Sequence, residues 1–116
     1  MPKFLAVYLG SPDSMSNWEK LSDSERSALE AKGISAWTNW VKKNEKSIIE
    51  VGSPLGATLR VDKKGVSEIV NELTAYTVVE APSHEAAARL FTEHPHFTVF
   101  PGHSIEVMEC IPLPGA

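Results

Sequence analysis

Three of the four histidines, His94, His96 and His103, fall within ten residues of one another, beside Glu93, Glu106 and Glu109; the fourth is His84. An imidazole titrates near neutral pH and serves as a general base or a metal ligand. A neutral imidazole held against a carboxylate can take a proton from a carbon acid. His94, His96 and Glu106 are therefore the candidate catalytic set. His94 and His96 flank Pro95, where a helix must break into a loop. The plainer use of these rings is to complement a helix C-terminus as cations. No HxxxH or HExxH spacing is present and there is a single cysteine, so no metal site is expected.

A second candidate group would bind rather than react. Trp37 and Trp40 stand three residues apart and so share one helix face. They can pack that helix onto a sheet, or they can form the apolar wall of a pocket for a planar ligand. Asn71 and Tyr76 would supply the few placed polar groups such a pocket uses. Glu80 and Glu106 lie at strand ends, where a carboxylate is solvated unless its side chain turns inward. Cys110 alternates with Ile111 on a strand and reads as a packing residue. Gly52-Ser-Pro-Leu-Gly56 lacks the Lys and Ser/Thr of a phosphate loop and reads as a turn. No cofactor is implied.

The elements that must position these residues follow from periodicity and punctuation. Phe4 to Leu9 is an apolar run ending at Gly10-Ser-Pro, the profile of a buried strand and too short for a signal-peptide core. Gly10 to Asn17 reads as a polar turn. Ser22 and Glu25 form a capping box. The helix it opens carries Leu29, Gly33, Trp37, Trp40 and Val41 on one stripe, widened by Ile34, and ends near Lys42–Lys46. Ser47 to Val51 is extended and closed by Gly52-Ser-Pro54. A further extended piece runs from Ala57 to Val61, with a turn at Asp62-Lys-Lys-Gly65. Thr74 to Ala81 is the clearest strand. Ser83 caps a second helix running to His94, with Ala87, Leu90 and Phe91 on its apolar stripe. Ser104 to Ile111 alternates as the last strand. The order is that of an α+β, ferredoxin-like split βαβ domain spanning residues 1–116, an antiparallel sheet with two helices on one face. The other face still carries large residues, so a second copy of the chain is expected to cover it.

The net charge is -4, and the only local basic groups are Lys42-Lys43 with Lys46 and Lys63-Lys64. Nucleic-acid binding through a basic stripe is not expected. No run approaches the length of a membrane span, so neither is a membrane partner. One thiol and no disulfide suit a reducing cytoplasm.

Several segments together resemble the YCII-related family, including its DGPF-type members. They are the strand Ala75-Tyr-Thr-Val-Val-Glu-Ala81, the helix start Ser83-His-Glu-Ala-Ala-Ala88, the His94-Pro95 step, the strand Ser104-Ile-Glu-Val107 and the turn Gly52 to Gly56. The resemblance implies a dimeric α+β barrel in which two ferredoxin-like sheets pack together, and no settled activity. Some members of that family carry a His in the first helix and a late Asp, proposed as an acid–base pair. Here Trp37 and His94 stand in those places and the DGPF tetrapeptide is absent, so that pair is not carried over. Three functions remain in view: a dimeric protein that binds a small apolar or planar molecule; a cofactor-free isomerase or lyase using a His/carboxylate pair; and a plain structural partner.

Overall fold

The computed structural model describes residues 1–10 and 12–115, with the side chains of 12–15, 97 and 98 outside the description. Strand β1 covers Lys3–Leu9 and helix α1 Pro12–Glu19; helix α2 covers Asp23–Lys43. Strands β2 (Ile48–Pro54), β3 (Thr58–Asp62), β4 (Gly65–Ile69) and β5 (Leu73–Glu80) follow. The chain closes with α3 (His84–Arg89), α4 (Pro95–Thr98) and β6 (Ser104–Glu109). Four strands form an antiparallel sheet in the order β2-β5-β1-β6, and β3-β4 form a separate hairpin. With the hairpin set aside, this is the expected split βαβ arrangement.

Local chemistry explains most element boundaries. The capping box at Ser22 is complete: the Glu25 backbone N–H donates to the Ser22 hydroxyl, and the Ser22 N–H donates to the Glu25 carboxylate. Ser83 caps α3 in the same way through the Ala86 N–H. Three sequence readings are corrected. Residues 12–19 form a helix rather than a turn; their pattern carries no apolar stripe to announce one. Gly52 does not end β2 but lies within it, at a bulge with φ +79°, where a Cβ would stand 1.8 Å from the Tyr76 carbonyl oxygen. The second helix ends at Arg89, not His94. The chain then descends through tight turns whose N–H groups reach back three residues, from Leu90, Phe91, Thr92 and His94. Pro95 enforces the break, holding His94 extended (φ -66°, ψ 141°) as the N-cap of α4.

Strand alternation separates two faces. Phe4, Ala6, Tyr8, Ala75, Thr77 and Val79 point to the helices and are buried, packed with Trp40, Ala87 and Phe91. Ile105 and Val107 pack against this core, as expected for that side of β6. The strand read from the sequence as reaching Ile111 ends at Glu109, and Ile111 is exposed beyond it. Leu5, Val7 and Leu9 point to the opposite face with Tyr76, Val78 and Met108, and among the described residues no helix covers them. Cys110 is exposed in the single chain rather than packed. Among the described residues, no helix is long and apolar enough to cross a membrane.

Candidate ligand cavity

The parity of β1 and β5 brings Tyr8 and Thr77 together under the helices, although 69 residues separate them. Pro95 swings His94 onto the same spot. The result is a chain of hydrogen bonds whose directions follow from its ends. The His94 Nδ1 accepts from the His96 backbone N–H at 3.0 Å, so the neutral ring carries its proton on Nε2. That Nε2–H donates to the Tyr8 hydroxyl at 3.2 Å. The Tyr8 hydroxyl donates to Thr77 Oγ1 at 2.7 Å, and Thr77 donates to the Val51 carbonyl at 2.8 Å. A carbonyl can only accept, which fixes the order of the whole chain.

Aromatic rings wall in this chain. The His94 ring is fully buried and meets Trp37 edge-on at 4.7 Å between centroids, Trp40 at 4.6 Å and Tyr8 at 4.9 Å. Burial, and secondarily the neighbouring His96, pushes the His94 imidazole down to about 3. Burial pushes the Tyr8 phenol up to about 12, only partly offset by the Thr77 hydrogen bond. Both groups are held neutral. Trp40 anchors α2 to the descending turns by donating from Nε1 to the Leu90 carbonyl at 2.8 Å.

In front of this layer lies a cavity of about 460 Å³, between α2, the end of β1, β2, the start of β5 and the loop before β6. Its walls are mainly apolar: Ile34, Trp37, Val51, Pro54, Phe100 and Pro101. This size suits a small organic ligand. His96 is the imidazole on its wall. Its Nε2–H donates to the Leu9 carbonyl at 2.8 Å, and its ring lies flat on Gly102, where a Cβ would sit 2.3 Å from ring atoms. Burial lowers its pKa, the carbonyl hydrogen bonds of Leu9 and Ser104 partly offset this, and His103 adds to the lowering. Gly33 plays the same part on α2, since its missing side chain admits the ring of Phe100.

The sequence-derived candidates thus divide. His96 and Trp37 line the cavity. His94 and Trp40 stand behind its wall, in the core. The other three are elsewhere. Glu106 is exposed and pairs with Val7, which places it on the uncovered sheet face rather than beside an imidazole. Tyr76 is on that face too, donating to Glu50 at 2.6 Å. Asn71 is exposed at the foot of the hairpin, bonded to Thr58 and to the Leu73 backbone. Tyr8, Thr77, Gly33 and Phe100 were not singled out from the sequence. Alternation alone could not find Tyr8, because both faces of β1 are apolar. Among the described residues, no group of three His, Cys, Asp or Glu side chains could hold a metal ion.

Comparison with known proteins rests on structure. No protein-family profile matches the chain, and no curated protein sequence matches it. A solved structure does: 5-chloro-2-hydroxyhydroquinone dehydrochlorinase from Burkholderia phenoliruptrix, in complex with 2,5-dihydroxybenzoquinone. It is 18% identical, with a TM-score of 0.53, over 90% of this chain and 89% of that one. At that identity the likeness is one of fold, and this chain shares the α+β fold of that enzyme over nearly its whole length.

Proposed function

We propose that this protein binds a small planar ring compound bearing oxygen substituents, in the cavity between α2 and the sheet, and does so as a homodimer of the YCII-related kind. The observation that carries the reading is the aromatic and aliphatic lining of a 460 Å³ cavity that also bears the placed imidazole of His96. A ring compound gains from stacking on Trp37 and from removal of apolar surface from water. The likeness to a fold that holds 2,5-dihydroxybenzoquinone supports a quinone or hydroxylated ring as the ligand class. Binding is favoured over the His/carboxylate proton transfer of an isomerase or lyase. The lone pair of His94 is engaged by a backbone N–H, and Glu106, the carboxylate of that pair, lies on the opposite face of the sheet.

Isothermal calorimetry with hydroquinone, a planar oxygen-bearing ring that is uncharged at neutral pH, tests this directly. Saturable binding by the wild-type chain is expected, together with its loss in Ile34→Trp. Ile34 lines the cavity but is 63% exposed, so a larger side chain can fill the mouth without entering the core. Equal binding by both proteins would place the ligand elsewhere and refute the reading.

A further inference from the structure

The β3–β4 hairpin leaves the sheet as an arm. The Leu55 N–H donates to the Thr74 carbonyl at 2.8 Å, which carries the β2–β5 ladder one step beyond Pro54. Asn71 then ties the foot of the hairpin, donating to Thr58 Oγ1 at 3.3 Å and accepting from the Leu73 N–H at 3.0 Å. Beyond that point the ribbon is amphipathic. Leu59, Val61 and Val66 share one face with Glu68, and Val61 pairs directly with Val66. The three apolar side chains belong to residues 63%, 75% and 66% exposed. The other face carries Ser67 and the ion pair of Arg60 with Asp62 at 3.6 Å. A two-stranded ribbon alone is marginally stable in water, and one with a separate apolar face is stabilised by burying that face.

A second copy of the chain fits by area and by charge. The chain exposes 8059 Å², where a compact monomer of 12.7 kDa exposes about 6,200 Å². Its radius of gyration is 16.1 Å, against about 13 Å for a compact domain of 116 residues. The surplus of about 1,800 Å² on each chain falls in the range that an obligate homodimer removes from each partner. The turn of the arm holds Lys63 and Lys64, both exposed, while the uncovered sheet face presents Glu50 and Glu106. Glu80 on that face is already matched by Lys3 opposite it. Two chains of net charge -4 repel, so a basic tip set toward a partner's carboxylates orients the pair. We infer, on the homodimer proposed above, that the β3–β4 hairpin of each protomer clasps the second copy, laying Leu59, Val61 and Val66 on it and bringing Lys63 and Lys64 toward its acidic sheet face. Two-fold symmetry makes the clasp reciprocal, so both arms are buried at once.

The test pairs a variant with an exchange measurement. Val61→Lys combined with Val66→Glu replaces the apolar cross-strand pair by one of opposite charge, which keeps the hairpin paired while removing its apolar contact. Both positions are exposed in the single chain, so the core and its tryptophan fluorescence should be unchanged. Four valines leave the dimer interface, and sedimentation equilibrium should show the dimer Kd raised by about a hundredfold or more. In the wild type, amides of residues 58–69 should be protected from hydrogen exchange in the dimer and exchange at least about tenfold faster after dilution to monomer. A wild-type dimer whose Kd the double variant leaves unchanged, or hairpin amides that exchange alike in dimer and monomer, would overturn the clasp while leaving the dimer. A wild-type chain that stays monomeric at micromolar concentration would remove the dimer and the clasp together.

Discussion

Gly33 occupies the middle of a 21-residue helix, where glycine is about 1 kcal/mol less favourable than alanine. The structure gives the reason for its presence. A Cβ there would stand 2.2 Å from Phe100 Cζ and 2.6 and 2.7 Å from its two Cε atoms. Carbon atoms pack at about 3.5 Å, so the ring would have to withdraw by about 1.3 Å or more. Phe100 is half-buried, and its ring centroid lies 6.4 Å from that of Trp18. Displacing it forfeits roughly half of what a fully buried phenylalanine contributes, about 2 kcal/mol. Gly33→Ala should therefore destabilise the wild-type protein by about 1 kcal/mol, the displacement loss minus the helix gain. In a Phe100→Ala background the obstruction is gone, and the same substitution should stabilise by about 1 kcal/mol. The coupling between the two sites is then about 2 kcal/mol. Urea unfolding followed by tryptophan fluorescence reads all four proteins, with midpoints that move while the slope stays fixed. Stabilisation by Gly33→Ala in both backgrounds alike would refute the account, since it would mean that Phe100 does not fill the space over Gly33.

Two further outcomes follow from the buried imidazoles and the uncovered sheet face. An unfolded histidine titrates near 6.5 and His94 in the fold near 3. Above the higher value both states are neutral and stability is flat. As pH falls from there toward the lower value, the unfolded chain takes up a proton that the fold excludes. Stability should drop by up to about 1.4 kcal/mol per pH unit for each such ring. His94→Asn, which can still cap α4, should lower that slope by about one proton in unfolding curves taken across the acid range; an unaltered slope would exonerate His94. For the dimer, light scattering should return twice the 12.7 kDa chain mass, and Val78→Asp on the uncovered face of β5 should yield folded monomers. A wild-type monomer at micromolar concentration would refute the dimer.

Much of the scaffold was legible because its signals are local. Ser22 and Glu25 meet across one helical turn, and their side chains satisfy N–H groups three residues away, so the start of α2 could be read directly. Ser83 worked in the same manner. The β-branched and aromatic run of β5, closed by Pro82, and the alternation of β6 identified strands. Their order in the chain left a split βαβ sheet as the consistent assembly. Pro95 marked where the helix had to break, and with it the neighbourhood of His94 and His96.

The site needed contacts that no local signal encodes. Tyr8 meets His94 across 86 residues, and Gly33 meets Phe100 across 67. Glu106 looked like a partner for an imidazole because it is near in sequence. The side-chain period of a strand is two, and the register with Val7 sends it to the far face. His94 and His96 are chemically identical and two positions apart, yet one is sealed in the core and the other lines the cavity. The sequence determined that two imidazoles sit at a helix break. Only the tertiary structure decided which of them lines the cavity, because the extended backbone at His94 and the first turn of α4 aim the two rings in different directions.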